Sequence, residues 1–427
     1  MSTPPSSHLA DGWAAAISLT ERWLRHRERI DSLLEQLAPA LPPQERARAQ
    51  HLFFGVVRWE SRIATALDGL LARPPRPRLR ALIEVMGFEL IEADPESAAP
   101  VVHHAVERAK ILTSPGESRL VNAVGRKLAV QLKQPPNALA AEFAHPDWLV
   151  ERWESRFGAD ATRRLLAWNQ MPGVVHVRWR GALSGIPAFL RPSRWPGFYT
   201  AEPGRWDEVR ALVDQGSAYI QDPSTRNCID LLDPKPGEDI LDACAAPGGK
   251  SLMIADRLAA GSGGTVVAVD EPGPRIDRLK SNLAKAPAGV TVALMPVDLG
   301  RLDGGTLRDA NLPEQFDAVL LDAPCSNTGV MRHRVDVKWR LQAGDFARHS
   351  DQQLALLRTA SKRVRPGGRL VYSTCSIDAA ENEDVVRRFL EGARDWKLAR
   401  QDIALPWIAG HDGAAAFLLS HEAPNRK

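Results

Sequence analysis

Two cysteines stand where chemistry is most easily placed on an α/β scaffold. Cys325 lies in Asp322-Ala-Pro-Cys-Ser-Asn-Thr-Gly329 and Cys375 in Tyr372-Ser-Thr-Cys-Ser376, each just past an apolar run that reads as a β-strand. A thiolate is a strong nucleophile. Beside a methyl donor it suits covalent catalysis on an unreactive carbon, such as carbon 5 of a pyrimidine. A buried, inert thiol is the commoner state of free cysteine, and Cys228 is read that way.

A methyl donor is suggested by other strand ends. Asp242-Ala-Cys-Ala-Ala-Pro-Gly-Gly-Lys250-Ser251 joins a strand pattern to a helix pattern, and its glycines would let backbone approach a ligand. By itself such a turn is as often purely structural. It lacks the spacings G-x-G-x-x-G and G-x-x-x-x-G-K-[ST], which argues against a dinucleotide or a P-loop triphosphate. Asp270 ends the next strand, about 20 residues on, where an acid can take both hydroxyls of a ribose. Asp298 and Asp322 end the third and fourth. One such acid is easily a helix cap, but three in succession suit a nucleoside without a phosphate clamp. S-adenosylmethionine fits that description.

The elements that must position these residues are legible from about Asn227 onward. Apolar runs at Asp239 to Cys244, Thr265 to Asp270, Val290 to Asp298, Phe316 to Asp322 and Arg369 to Cys375 alternate with helical patterns. That alternation predicts an open, mainly parallel, doubly wound α/β sheet with ligands at its carboxyl edge. Trp396 to Arg400 and Ala415 to His421 would close it as an antiparallel pair. The first third reads as helices separated by proline breaks, with Ser18 and Glu21 in capping-box form and helical patterns from Gln44 to Leu71, Leu79 to Ala93, Pro100 to Lys110 and Ser118 to Lys133. Two more helices run from His145 to Asn169, with Asp147 as the first cap. Short β-like runs at Val174 to Trp179 and Ser217 to Gln221 flank a Pro-rich middle. The expected domains are residues 1–140, helical; 141–226, a mixed linking subdomain; and 227–427, the α/β sheet.

Composition bounds the partners. The 427 residues carry 55 Lys+Arg against 52 Asp+Glu, a net +3, so a wholly basic binder is excluded and any nucleic-acid contact must be local. Four scattered cysteines suit neither a disulfide framework nor a zinc ribbon, and no metal is expected. The segment MSTPPSSHLADGW lacks a signal-peptide pattern and no window reaches a membrane span, so a cytoplasmic protein with reduced thiols is expected.

Taken together, these residues are similar to the Sun-type RNA cytosine-5 methyltransferase family, and most closely to its bacterial small-subunit ribosomal RNA members with a NusB-like N-terminal domain. The resemblance rests on Tyr219-Ile-Gln-Asp-Pro-Ser224, Cys244-Ala-Ala-Pro-Gly-Gly-Lys250, Asp322-Ala-Pro-Cys-Ser326 with Thr328-Gly329, and Val337-Lys-Trp-Arg340. Pro366-Gly-Gly-Arg-Leu-Val-Tyr-Ser-Thr-Cys-Ser376 and Glu381-Asn-Glu383 complete it toward the C-terminus. Phe53-Phe-Gly-Val-Val-Arg58 and Val121-Asn-Ala-Val124 resemble the family's helical RNA-binding domain.

The resemblance implies a Rossmann-like methyltransferase domain behind an all-α NusB-like one. Cys244, Ala245, Ala246, Pro247, Gly248, Gly249 and Lys250, with Asp270, Asp298 and Asp322, would hold S-adenosylmethionine. Cys375 would be the nucleophile and Cys325 would assist product release, whereas DNA cytosine-5 methyltransferases use the cysteine of a Pro-Cys motif. Asp322 would hydrogen-bond the base near nitrogen 3. Lys250 is either a support for the site or a simple helix-start lysine. Arg332, Arg334, Lys338 and Arg340 are either a solvated face or contacts to RNA phosphates. The implied partner is RNA, most simply 16S ribosomal RNA or a small-subunit precursor, and the implied state a monomer. Departures from the family pattern at Arg332 to Asp336, Val297, His103-His104 and Asp412 to Phe417 bear on the RNA target rather than the chemistry. Three rival readings remain at this stage: a NusB-like binding or assembly factor with a silent catalytic domain, methylation of another RNA such as tRNA, and, more weakly, a DNA methyltransferase.

Overall fold

The computed structural model describes residues 11–71 and 73–422. The opening segment on which the N-terminal reading rests lies, as far as residue 10, outside them. The chain forms two compact units, one of residues 1–171 with 331–341 and one of residues 172–330 with 342–427.

The first unit is helical. Its opening helix, Gly12–His26, starts at Asp11, whose side chain accepts the Ala14 N–H at 2.8 Å. Ser18 therefore sits in mid-helix and caps nothing, because the buried stripe of Trp13, Ile17 and Trp23 begins a turn and a half earlier than expected. Helices Pro43–Asp68, Pro77–Glu92 and Pro115–Gln131 each open on proline, which has no N–H to leave unsatisfied in the first turn. Ala98–Leu112, Asp147–Phe157 and Ala159–Gln170 are its other long helices, the second with Pro146 rather than Asp147 at its cap. Within Phe53-Phe-Gly-Val-Val-Arg58, a Cβ on Gly55 would fall 2.1 Å from the Phe88 ring, so that motif marks a close helix crossing.

Burial in this unit includes one imperfectly satisfied acid. Glu84 is fully buried, with one oxygen accepting from Arg80 at 2.6 Å and the other without a partner. Desolvation outweighs Arg80 and raises its pKa to about 7. The stability this protonation confers is complete below the unfolded value of 4.5 and is lost as pH rises through about 7. Glu84→Gln is expected to flatten that decline. Wild type should lose melting temperature between pH 5 and pH 8 relative to the variant, and parallel profiles would contradict the assignment.

Residues 331–341 join this unit although they follow the Cys325 loop in sequence. Val335 packs among Leu19, Trp23, Phe53 and Val57, while the Trp339 indole donates to the Val57 carbonyl at 2.6 Å. Lys338 donates to the Arg58 carbonyl at 2.8 Å.

The second unit contains both sheets. The smaller comprises β1 (Val177–Trp179), β2 (Leu190–Pro192), β3 (Phe198–Ala201) and β4 (Ala218–Ile220), in antiparallel order β2-β3-β1-β4. The expected segment 141–226 is thus divided: the helices Asp147–Phe157 and Ala159–Gln170 belong to the helical unit, while its strands and the helix Trp206–Asp214 belong to the sheet unit. β2 and β3 escape pattern reading because they are three and four residues long, and β2 ends in a proline that only an edge strand tolerates.

The larger sheet comprises β5 (Asp239–Ala243), β6 (Gly264–Asp270), β7 (Val290–Pro296), β8 (Phe316–Asp322), β9 (Val364–Thr374), β10 (Trp396–Ala404) and β11 (Ala414–His421), in the order β10-β11-β9-β8-β5-β6-β7. β5 to β9 are parallel where they pair, and β11 and β10 run antiparallel. The Rossmann-like expectation for this region agrees with that order. Alternate residues supply the two faces: Phe316, Val319 and Leu321 enter one core, Ala318 and Leu320 the other. Both faces are covered, as a parallel sheet requires. No described helix is long and apolar enough to cross a membrane.

Candidate active site

The reversal of strand order beside β5 puts the carboxyl ends of β5, β6, β8 and β9 at one edge of the sheet. Register then sets which loops meet. Ala243 stands opposite Leu321, and Asp322 opposite Ser373, so the chain leaves β8 and β9 side by side. Ala323 N–H donates to the Ser373 carbonyl at 2.9 Å, and Gly329 N–H to the Cys375 carbonyl at 2.9 Å. These bonds bring two residues 50 apart in sequence together: the sulfurs of Cys325 and Cys375 lie 3.2 Å from each other.

The two thiols differ. Cys325 is buried and Cys375 partly exposed. The hydrogen bond to Cys375, then burial, raises the Cys325 pKa. Either thiol can donate in the contact between the sulfurs, and the Cys375 thiol also donates to the Asn327 Oδ1 at 3.1 Å. Asn327 adopts a left-handed φ of 61°, which asparagine tolerates better than most residues, and anchors its amide on the Cys325 carbonyl at 2.9 Å.

The turn after β5 borders a cavity of about 260 Å³. Its walls include Cys244, Ala245, Ala246, Pro247, Gly249, Lys250, Asp242 and Asp322, closed by Tyr219, Gln221, Arg278 and Asn282. The Ala246 N–H and the Arg275 guanidinium hold the two oxygens of buried Asp270, each at 2.9 Å. Gly248 takes φ of 101°, a conformation L side chains rarely adopt, and a Cβ on Gly249 would strike the Tyr219 ring at 2.7 Å. Both glycines are therefore required by the protein's own backbone and packing.

Lys250 Nζ sits 2.5 Å from Asp322 Oδ2 at the inner end of this cavity. Burial disfavours its charge, but Asp322 outweighs the burial and the Lys250 pKa lies above the usual lysine value, with a smaller contribution from Cys375. Asp242 is fully buried; Ser251 donates to one oxygen at 2.5 Å while the other has no partner, and burial raises its pKa to about 7. The Cys228 thiol is pushed up to about 12 by burial, and that of Cys244 is raised for the same reason.

Gly329 carries the closest backbone approach. A Cβ there would fall 2.6 Å from the Gly413 carbonyl oxygen and 2.7 Å from that of Cys375. Gly329→Ala must therefore push the Cys375 loop away. We expect a loss of ~10²-fold in kcat from ångström-scale misplacement and ~1–3 kcal/mol in stability from overpacking. Single-turnover rates and melting curves measure both, and a wild-type kcat would contradict the geometry.

Comparison with known proteins places this arrangement. A family model described as 16S rRNA methyltransferase RsmB/F matches residues 229–415, and one for the NusB family matches residues 38–129. Ribosomal RNA small subunit methyltransferase B of Salmonella paratyphi A is 32% identical over 404 residues, covering 90% of this chain and 91% of the relative. The chain belongs to the RsmB/F family. Its members are S-adenosylmethionine-dependent rRNA methyltransferases, and the helical unit carries the NusB domain. In fold, the solved structure of PH0851 aligns with a TM-score of 0.76 at 23% identity, over 98% of this chain and 99% of its own. NSun6 from Pyrococcus horikoshii with SFG aligns with a TM-score of 0.54 at 19% identity, over 65% and 98%.

In this RsmB/F-family chain, Cys325, Cys375, Asp322 and Lys250 gather at one edge, with the residues 244–250 turn beside them. Asp270 backs that turn without lining the cavity. Asp298 follows β7, which stops at Pro296, and its exposed side chain caps the Leu299–Arg301 turn through the Gly300 N–H at 2.7 Å. The basic run lies in the helical unit. Lys338 is 2% exposed, its charge disfavoured by burial and by Arg58, so it cannot reach a phosphate from the surface; there the expectation fails because the aliphatic stem serves the core. Arg332 lies over the Trp168 ring at 4.3 Å, Arg334 pairs with Asp31 at 3.1 Å and Arg340 with Asp336 at 3.3 Å. Sequence reasoning assigned no role to Asn327, Glu381, Tyr219 or Asn282. Asn327 had a signal, an asparagine inside an irregular loop; the others depend on tertiary packing.

Proposed function

We propose that the chain methylates carbon 5 of a cytosine in small-subunit (16S) ribosomal RNA through a covalent Cys375 adduct, with S-adenosylmethionine in the cavity beside the residues 244–250 turn. The observation that carries this reading is the pair of sulfurs 3.2 Å apart next to the Lys250–Asp322 ion pair. One thiol suffices for a structural or redox-inert role; covalent addition followed by release gives work to two.

The cavity suits the cofactor. The partnerless oxygen of buried Asp242 is an acceptor awaiting an amine or hydroxyl, and the acids at the ends of β5 and β8 favour a cationic ligand over a polyphosphate. Cofactor contacts are assigned to Asp242, Lys250, Asp322 and the turn residues, with Asp270 acting on the ribose once Arg275, which is exposed, swings aside. Bound there, S-adenosylmethionine supplies an electrophilic methyl group.

The chain's own residues do the rest. The Cys375 thiolate adds to carbon 6 of the cytosine, converting the ring to an enamine whose carbon 5 is nucleophilic. Asp322 holds the ring edge by accepting from the exocyclic amine, and the Lys250 ammonium places positive charge where negative charge develops near nitrogen 3. Cys325, in contact with the Cys375 sulfur, promotes loss of the carbon 5 proton and expulsion of Cys375. The base must be flipped or single-stranded to enter. Arg332, Arg334 and Arg340 are retained as phosphate contacts. We take the protein to act as a monomer in the cytoplasm, a compartment that free thiols suit.

Incubation with tritiated S-adenosylmethionine and 16S rRNA, followed by bisulfite sequencing, tests this reading. Label in a bisulfite-resistant cytosine is expected. RNA binding without label would favour a silent catalytic domain, and label confined to tRNA would move the substrate.

A further inference from the structure

Two thiols that act in sequence on one ring must be held to within tenths of an ångström, yet both sit on irregular loops. Hydrogen-bonded ladders end at Asp322 and Thr374. Past them the loops are tied by the Gly329 N–H to Cys375 carbonyl bond and by the hydroxyls of Ser326 and Thr328 against that of Ser376, and these ties need a common anchor.

A single buried carboxylate reaches both. Glu381 is wholly inaccessible to solvent and lies in the short turn Ala379–Glu381 that follows the Cys375 loop. Its Oε1 accepts the Ser326 N–H at 2.8 Å and the Gln353 side-chain amide at 3.2 Å. Its Oε2 accepts the Ser376 hydroxyl at 2.6 Å and also the Ser326 hydroxyl. Ser326 adjoins Cys325 and Ser376 adjoins Cys375. Gln353 in turn donates to the Pro324 carbonyl at 2.9 Å, on the other side of Cys325. Four neutral donors converge on the carboxyl group, so its buried oxygens are satisfied by hydrogen bonds.

We propose that Glu381 is a positioning residue that clamps the Cys325 and Cys375 loops together and so sets the distance between their sulfurs. The inference rests on the proposed two-cysteine mechanism for its catalytic meaning, but its geometry can be tested without RNA. Glu381→Gln keeps size and shape while replacing one acceptor oxygen by an NH₂ group, which must face either a hydroxyl donor or an N–H donor. The clamp then opens on one side.

The readout is the rate at which added diamide joins Cys325 to Cys375. One thiolate adds to diamide, and attack of the second sulfur on that adduct forms the S–S bond and releases the hydrazine, two electrons and two protons having left the pair; the rate of this second step reports sulfur proximity. Peptide mapping of the full-length protein identifies the bond and separates it from reactions at Cys228 or Cys244. Glu381→Gln is expected to slow this reaction at least ~10-fold and to lower kcat by a similar or larger factor, as ångström-scale misplacement does, with KM for S-adenosylmethionine unchanged. Glu381→Asp, which retains charge but is one methylene short, should restore little of either. Should Glu381→Gln fail to fold, Ser376→Ala removes the carboxylate's hold on the Cys375 loop, together with that hydroxyl's contacts to Ser326, Thr328 and Asp378, and carries the same measurement. Wild-type rates of S–S formation in a folded variant would overturn the clamp, whatever happened to methyl transfer. Slowed S–S formation with unchanged methyl transfer would keep the clamp and overturn the two-cysteine mechanism.

Discussion

Cys375→Ala is expected to abolish methyl transfer and to leave no covalent RNA complex. Losing a nucleophile that forms the intermediate costs on the order of 10⁴ to 10⁶ in kcat, since no other step bypasses the bond. Cys325→Ala should behave oppositely in one respect. Addition at carbon 6 needs only the partly exposed Cys375, so the adduct forms, but the neighbour 3.2 Å from its sulfur is missing when that bond must break. Protein shifted by denaturing electrophoresis together with labelled RNA should therefore accumulate in Cys325→Ala and be absent from Cys375→Ala. The reverse pattern would exchange the two roles and align the site with the Pro-Cys chemistry of DNA enzymes.

Asp322→Asn carries the second large effect. The Lys250 ammonium is held above its usual pKa by a carboxylate 2.5 Å away, and burial alone would push it the other way. An amide removes that compensation. Two consequences follow: the ring edge loses its charged partner, at ~10²–10³ in kcat for one preorganised electrostatic contact, and Lys250 becomes easier to deprotonate. The carboxylate's contribution to Lys250 lies above neutrality, so the stabilisation lost in Asp322→Asn is present at pH 7 and 8 and disappears as pH rises through the raised Lys250 value. Melting temperatures of wild type and variant should differ at pH 8, and a variant that melts with wild type there would remove the ion pair from the account.

Much of the catalytic sheet was legible because its central strands are apolar on both faces, and because β6 and β8 end in Asp270 and Asp322 while Cys244 and Cys375 directly follow β5 and β9. β5, β6 and β8 end within a residue or two of their expected limits. β9 begins earlier than expected at Val364, since Pro366-Gly-Gly reads as a turn in sequence but lies within the strand's pairing and bulge. Asp298 shows the limit of strand-end reasoning: an acid after a strand satisfies the nearest free N–H, and here that N–H is Gly300's. Lys338 shows another. A basic run of alternating Arg and Lys gives no sign of which side chain points inward until Val335 and Trp339 find the helices that bury them. Glu381 was visible as part of a motif, but four donors from three separate segments cannot be read from local pattern.

The excursion of residues 331–341 has a consequence for how the protein can be taken apart. Chain runs from the Cys325 loop into the helical unit and back before the helix Asp345–Ser361, so the two units are joined at three points rather than one. Cutting after residue 171 would strip Val335 and Trp339 of Leu19, Phe53 and Val57, and leave the Lys338 ammonium without the Arg58 carbonyl. The tether that loses its anchorage begins two residues after Gly329. A single cut between the units therefore leaves the later piece with a stitch, residues 331–341, whose packing partners are in the earlier one.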